Sequence, residues 1–128
     1  MALTFEIDPQ RSLVEIARSH NPTFDQWRSF MEGLVTDGRF RPGFAILEDR
    51  RDDRAVPTRN DVEVAAAWIR LNAARLGEAR WAIVLDPSAL AAFGMVRVAE
   101  FLTDRSGVSL RAFTSLESAR AWVGGGAD

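Results

Sequence analysis

The sequence contains no cysteine and a single histidine, His20. Without cysteine the chain has neither a disulfide framework nor a thiolate nucleophile, and one histidine excludes a metal centre built from several imidazole ligands. We predict no metal site and no cofactor. The absence of cysteine is typical of proteins in the reducing cytoplasm, which is the location we expect.

Lysine is absent as well. All 16 basic residues are arginine, and with 18 acidic residues the net charge is -2. A chain with this balance has no overall basic field to attract a phosphate backbone by counterion release. Nucleic acid is therefore not an expected partner.

Long apolar runs are also missing. No segment approaches the roughly 20 apolar residues that a membrane-spanning helix requires. Residues 1–8, MALTFEID, lack the basic region and apolar run of a signal peptide. We expect no transmembrane segment.

The hydrophobic content is sufficient for one core. A hydrophobic fraction of 47% in 128 residues suits a single domain. We assign residues 1–123 to that domain and residues 124–128, which begin Gly-Gly-Gly, to a flexible tail.

Strand and helix patterns alternate along the domain. Residues 3–7 and 13–17, joined by an Asp-Pro turn, predict a β-hairpin, and residues 23–26 have capping-box spacing at the start of a helix. Strands are expected at residues 44–47, 81–85 and 108–113. Further helices are expected from Thr58 or Asn60 to Leu76, from Pro87 behind a capping Asp86 to about Thr103, and from a capping box that starts at Thr114.

The resulting order, ββαβαβαβα, predicts an α/β fold. We expect a mostly parallel five-stranded sheet with an amino-terminal antiparallel hairpin. The pattern leaves open the order of the strands and whether one face of the sheet or both carry helices.

A run of charged residues follows the strand at residues 44–47. Glu48, Asp49, Asp52 and Asp53 offer the oxygen ligands that a hard cation prefers. Arginines are interleaved with them, and the ligand spacing of an EF-hand is absent. We predict a self-neutralised, solvated loop at residues 48–54.

Three segments resemble the SpoIIAA-like family of bacterial proteins: residues 92–97 (AFGMVR), 111–123 (RAFTSLESARAWV) and 39–44 (RFRPGF). With the element order, the resemblance covers nearly the whole chain. It implies a fold related to STAS domains and to CRAL-TRIO lipid-exchange domains. It also implies a non-enzymatic binding or regulatory module for an apolar or amphipathic small ligand or for a protein partner.

Anti-sigma factor antagonists have their phosphorylation site at the start of the second helix, and in the corresponding region of this chain, residues 55–61 (AVPTRND), Thr58 is the only hydroxyl. The aspartate-serine-serine-glycine-like site of those proteins is missing. Thr58 is thus a candidate phosphorylation site by resemblance, and an N-cap by its position before a helix. Capping is the interpretation that needs no further assumption.

An enzymatic alternative rests on His20. Together with Ser19 and carboxylates elsewhere, it offers the residue types of a small hydrolase or transferase. No nucleophile-elbow pattern accompanies it, and a histidine beside Asn-Pro is more often a turn residue. We therefore expect a protein that is not an enzyme.

We place the binding site between the third predicted helix and the carboxyl ends of the neighbouring strands. Arg97 is predicted to meet an anionic head group, and Phe93 and Met95 to contact an apolar body. Asp86 belongs to the same site, because ligands of α/β proteins collect at the carboxyl ends of parallel strands. The alternative places Met95 in the core and Arg97 in solvent.

The same helix has more apolar residues than one buried stripe needs. At 100° per residue, one side is expected to pack on the sheet, with Gly94 allowing close approach, and the other to face outward. The outward side comprises Ala89, Ala92, Phe93 and Val96. We predict that it forms a homodimer or a ligand cleft. Peripheral membrane contact is less favoured, because few basic residues lie nearby.

Overall fold

The structure of the protein is a computed structural model that describes residues 3–20, 22–53 and 55–125. The strands are β1 (Leu3–Asp8), β2 (Leu13–Arg18), β3 (Ala45–Asp49), β4 (Arg80–Val84) and β5 (Ser109–Phe113). The helices are α1 (Phe24–Thr36), α2 (Arg59–Leu71), α3 (Ala73–Leu76), α4 (Leu90–Leu102) and α5 (Leu116–Val123). The predicted order is confirmed, except that the short α3 follows α2.

All five strands form one sheet in the order β1-β2-β3-β4-β5. β1 pairs with β2 in antiparallel fashion, and the other neighbours are parallel. The α/β class and the amino-terminal hairpin are therefore confirmed. The strand order, which the sequence left open, is sequential: each strand is added beside the preceding one.

Helices cover both faces of the sheet, but unequally. Because alternate strand residues point to opposite faces, Ile16 and Ile46 join the main core under α1, α2 and α4. Leu47 and Val84 belong to a smaller core with α5. Three of the crossover helices thus share one face, as expected when successive β-α-β connections have the same hand.

Capping boxes begin α1 and α2. The Thr23 hydroxyl accepts the Gln26 N–H at 3.1 Å, and the Gln26 side chain accepts the Thr23 N–H at 2.9 Å. Thr58 and Asp61 repeat this arrangement at 3.1 and 2.9 Å. Each box satisfies backbone donors that have no partner within the helix. The predicted caps at Thr23 and Thr58 are confirmed.

The second predicted helix is not continuous to Leu76. It breaks at Asn72, whose side-chain amide donates to a carbonyl of the preceding turn at 2.8 Å. Such local bonds compete with helix propagation. The predicted end at Gly77 is confirmed: its φ is +74°, and a Cβ there would clash with the backbone of Pro42 and Gly43.

The starts predicted for α4 and α5 were wrong by one to three residues. α4 begins at Leu90, because Asp86 accepts the Ser88 N–H at 2.9 Å and forms a turn before the helix. Ser115, not Thr114, caps α5, and its hydroxyl accepts the N–H three residues later at 3.2 Å.

The side of α4 that we predicted to face outward is buried. Ala92 and Val96 are 5% and 4% exposed and belong to the main core. Gly94 is exposed, and a Cβ on it would meet nothing within 4 Å, so it is not a point of close approach. The prediction was wrong because α4 carries apolar residues on every side and only two charged ones, Arg97 and Glu100, so that its periodicity selects a face only weakly. The buried row ends in Thr103, whose hydroxyl donates to the Ala99 carbonyl at 2.8 Å.

The last described residues follow α5. Gly124 is the C-cap of α5, and residues 126–128 of the predicted tail lie outside the described residues. Within the part of the chain that the structure describes, no helix is long and apolar enough to cross a membrane.

Candidate ligand-binding cavity

A cavity of about 110 Å³ lies between the sheet and the layer formed by α1, α2 and α4. It is close to the carboxyl ends of β2 and β3, where ligands of parallel α/β proteins commonly bind. The sheet provides its floor and the helices provide its walls. Its lining comprises Arg18, Pro22, Thr23, Phe24, Trp27, Glu48, Arg50, Pro57, Asp61, Val62, Ala65, Ala66, Ile69, Trp81, Ile83, Met95, Val96, Ala99 and Leu110.

The walls are apolar and include aromatic rings. Trp27 of α1 lines the cavity and packs edge-to-face on Trp68, with ring centroids 5.4 Å apart. α2 contributes alanines and aliphatic side chains, and α4 contributes Met95 and Ala99. Small residues on two facing helices leave the space that larger side chains would fill. An apolar interior with few polar groups is the common composition of small-molecule sites.

The floor holds a buried charge cluster, formed by Arg18, Glu48, Arg50 and Asp53. Arg18 Nε donates to Asp53 Oδ2 at 3.0 Å, and Arg18 Nη1 lies 3.8 Å from Glu48 Oε2. Glu48 as a residue is 3% exposed, and the Asp53 side chain is 1% exposed. Two cations and two anions therefore share a site that is nearly closed to water.

Strand pairing places these charges under the helices. Ile16 pairs with Glu48, and Glu48 pairs with Ile83, so that Glu48 continues a row of buried residues across the sheet. Arg50 extends the row beyond the strand end, where its backbone N–H donates to the Val84 carbonyl at 2.9 Å. The solvated loop predicted at residues 48–54 is therefore wrong for Glu48, Arg50 and Asp53.

Trp81 holds the Glu48 carboxylate in place. Its indole N–H donates to Glu48 Oε1 at 3.1 Å, and both residues are buried. A buried indole N–H and a buried carboxylate each need a partner. This bond orients Glu48 towards the arginines.

Arg50 is the incompletely satisfied member of the cluster. It is 9% exposed and lines the cavity, and its buried Nε has no hydrogen-bond partner within the part of the chain that the structure describes. Its carboxylate neighbours are distant: Nε lies 3.7 Å from Glu48 Oε2, and Nη2 lies 3.6 Å from Asp53 Oδ2. Burial lowers the pKa of Arg50, in the same direction as the charge of Arg18 and against the attraction of the two carboxylates.

The amino termini of α1 and α2 border the mouth of the cavity. Thr23, Phe24 and Asp61 belong to these first turns and line the opening. The positive ends of two helix dipoles thus lie near the arginines. The Asp61 carboxylate accepts the Thr58 N–H and occupies part of one helix end.

The predicted site residues fall into two groups. Met95 and Val96 line the cavity. Phe93 is partly buried against the main core, Arg97 is exposed, and Asp86 accepts from Ser88 in the turn before α4. None of these three lines the cavity. The arginines that line it are Arg18 and Arg50.

Sequence reasoning missed Arg18, Glu48, Arg50 and Trp81. A signal for the charged members was present, because buried alternate positions on β2 and β3 continue directly to them at period two. The charge of these residues concealed that periodicity.

Of the residues considered for other chemistry, His20 and Asp49 lie apart from the cavity lining. His20 is exposed, with φ of +62°, and is absent from the lining. Asp49 pairs with Arg51 Nη2 at 2.7 Å, and the hydrogen bond from Arg51 lowers its pKa. Among residues 3–20, 22–53 and 55–125, no group of three histidine or acidic side chains is placed to hold a metal ion.

Comparisons of the chain with protein-family models, with curated proteins and with solved structures find no significant match.

Proposed function

We propose that this chain is a non-enzymatic binding or regulatory domain that holds a small amphipathic ligand in the cavity between α1, α2, α4 and the sheet. The observation that carries the proposal is Arg50, which lines this mainly apolar cavity and whose buried Nε has no hydrogen-bond partner among the described residues. A cytoplasmic location is part of the proposal and is consistent with the lack of cysteine.

The energetic argument concerns what a ligand would supply. A buried donor without an acceptor costs about 1–3 kcal/mol, so a ligand acceptor at Arg50 would recover part of that cost. Apolar ligand atoms would meanwhile contact Trp27 and Met95 on the walls. Polar anchoring at one end and apolar contact elsewhere define an amphipathic ligand.

The proposal retains the resemblance to SpoIIAA-like proteins as a prediction. The mixed sheet and its helices support the general α/β class. The resemblance alone predicts a regulatory role with a protein partner. The predicted homodimer is not carried forward, because Ala92 and Val96, which were to form its surface, are buried.

The experiment titrates ¹⁵N-labelled protein with toluene and indole, followed by amide chemical shifts. We expect shifts at Trp27, Val62 and Met95. Ala99→Leu places a larger side chain in the cavity and should weaken binding by at least about tenfold, or roughly 1.4 kcal/mol. Ala91→Leu is the matched control, because Ala91 is exposed on the same helix.

Ala65→Leu, on the opposite wall, provides a second blocking variant. Circular dichroism verifies that each variant is folded. Absence of cavity shifts with both probes, or shifts that persist unchanged in both folded blocking variants, would contradict the proposed function.

A further inference from the structure

We propose that the cavity selects a small aromatic monocarboxylate, with the carboxylate on Arg50 and the ring between the helices. The inference deepens the proposed function and rests on it. Three features carry it: the donor excess of the buried charge cluster, the single charge that its surroundings tolerate, and the size and aromatic lining of the cavity.

The cluster is balanced in charge but not in hydrogen bonding. Its two guanidinium groups offer about ten N–H donors, whereas the oxygens of its two carboxylates offer about eight acceptor sites. Trp81 and the Ala55 N–H already donate to those oxygens. The ligand therefore needs acceptor atoms, and a planar carboxylate matches the fork of a guanidinium.

The neighbouring charges limit the ligand to one negative charge. The cluster is already neutral, with Arg50 Nε 3.7 Å from Glu48 Oε2 and Nη2 3.6 Å from Asp53 Oδ2, so each negative charge that a ligand adds is uncompensated within it. Glu48, Asp53 and Asp61 would repel a dianion such as a phosphate monoester. The positive ends of α1 and α2 favour the single charge.

The dimensions favour one ring. An apolar cavity of about 150 Å³ is known to hold benzene, and the cavity here is about 110 Å³ and opens to solvent. Phe24, Trp27 and Trp81 present aromatic rings to it. Ring-on-ring contacts add to the burial of apolar area, so an aromatic body is preferred to a linear chain.

The test compares phenylacetate with phenylacetamide, hexanoate and phenylphosphonate by calorimetry and by amide shifts, with toluene as the apolar reference. Phenylacetate should bind at least about tenfold more tightly than each of the other polar probes, a factor that corresponds to roughly 1.4 kcal/mol. Arg50→Lys retains the charge but removes the planar fork, and should abolish most of the preference over phenylacetamide. Toluene binding should be unchanged in that variant.

The controls separate the two proposals. Arg97→Lys changes an exposed arginine on α4 and should leave every affinity unchanged. Arg50→Met, which also removes the charge, is a second variant, because a lysine can still pair with the ligand carboxylate. Equal binding of phenylacetate and phenylacetamide, tighter binding of phenylphosphonate or hexanoate, or an unchanged preference in both folded Arg50 variants would overturn the inference. Failure of toluene and indole to bind would instead overturn the proposed function.

Discussion

Single glycines of this chain differ in what they tolerate. Gly77→Ala should destabilise the protein by roughly 2–5 kcal/mol, because the positive φ disfavours a Cβ and the added atom meets the Pro42 and Gly43 backbone. Gly94→Ala is the control: it lies in a helix with open space around it and should stabilise by about 0.5–1 kcal/mol. Urea unfolding measures both. Equal effects of the two substitutions would contradict the described turn.

Thr58 has a defined structural role beside its candidate regulatory one. Thr58→Ala removes the acceptor for the Asp61 N–H and should cost about 0.5–2 kcal/mol while leaving partner binding unchanged. Thr58→Glu should alter partner recovery in pull-downs only if phosphorylation regulates the protein. Unfolding curves and pull-downs of both variants test the two roles. Equal loss of a partner in both folded variants would contradict both.

Asp37 provides a prediction for acid pH. Its hydrogen bonds from Arg39, at 3.0 and 3.1 Å through the side chain, lower its pKa to about 2. The folded pKa is below the ordinary aspartate value of 3.8, so the stabilisation is present above that value and is lost as pH falls towards 2. NMR titration of the Asp37 carboxyl should show a midpoint near 2, and Arg39→Gln should raise it. A midpoint near 4 in the unaltered protein would contradict the pairing.

At the scale of elements, α4 shows where periodicity fails. Its solvent side carries Leu90 and Phe101, both 78% exposed, while its buried side carries Ala92 and Val96. Both sides are apolar, so the face is determined by packing on α2 and β5 and not by the helix alone.

Adjacent residues of α4 give a direct test of its orientation. Val96→Asp should destabilise the protein by at least about 3 kcal/mol, since it buries an unpaired carboxylate in the main core. Arg97→Asp should change stability by less than about 0.5 kcal/mol, because that residue is exposed. Thermal unfolding of the two variants provides the comparison. If Arg97→Asp is the more damaging substitution, the orientation of α4 is wrong.

Local signals predicted more than long-range ones did. Caps at Thr23 and Thr58 and the turn at Gly77 were predicted because each depends on residues close in sequence. The extent of β3 was underestimated, because pairing with β2 and β4 buries Glu48 despite its charge. Features that depend on residues close in sequence were therefore predictable, and the strand pairing that buries Glu48 was not.

At the scale of the whole molecule, the sequential sheet brings distant charges together. Arg18 ends β2, and Arg50 and Asp53 follow β3, so that parallel pairing places all three at the carboxyl ends of these strands. α1, α2 and α4 then cover these strand ends with small and aromatic residues and leave a cavity. Met95 and Val96 were predicted to contact a ligand and do line this space, whereas the arginines that line it were not predicted.

The most direct test of the ligand-binding account observes the Arg50 side chain itself. Its ¹⁵Nε–H resonance, assigned through its loss in Arg50→Lys, should shift downfield and exchange more slowly with solvent when phenylacetate is added. Toluene should leave that resonance nearly unchanged while shifting amides along the cavity walls. An Arg50 resonance that does not respond to phenylacetate, at concentrations that saturate the shifts at Met95, would contradict the claim that Arg50 anchors the ligand.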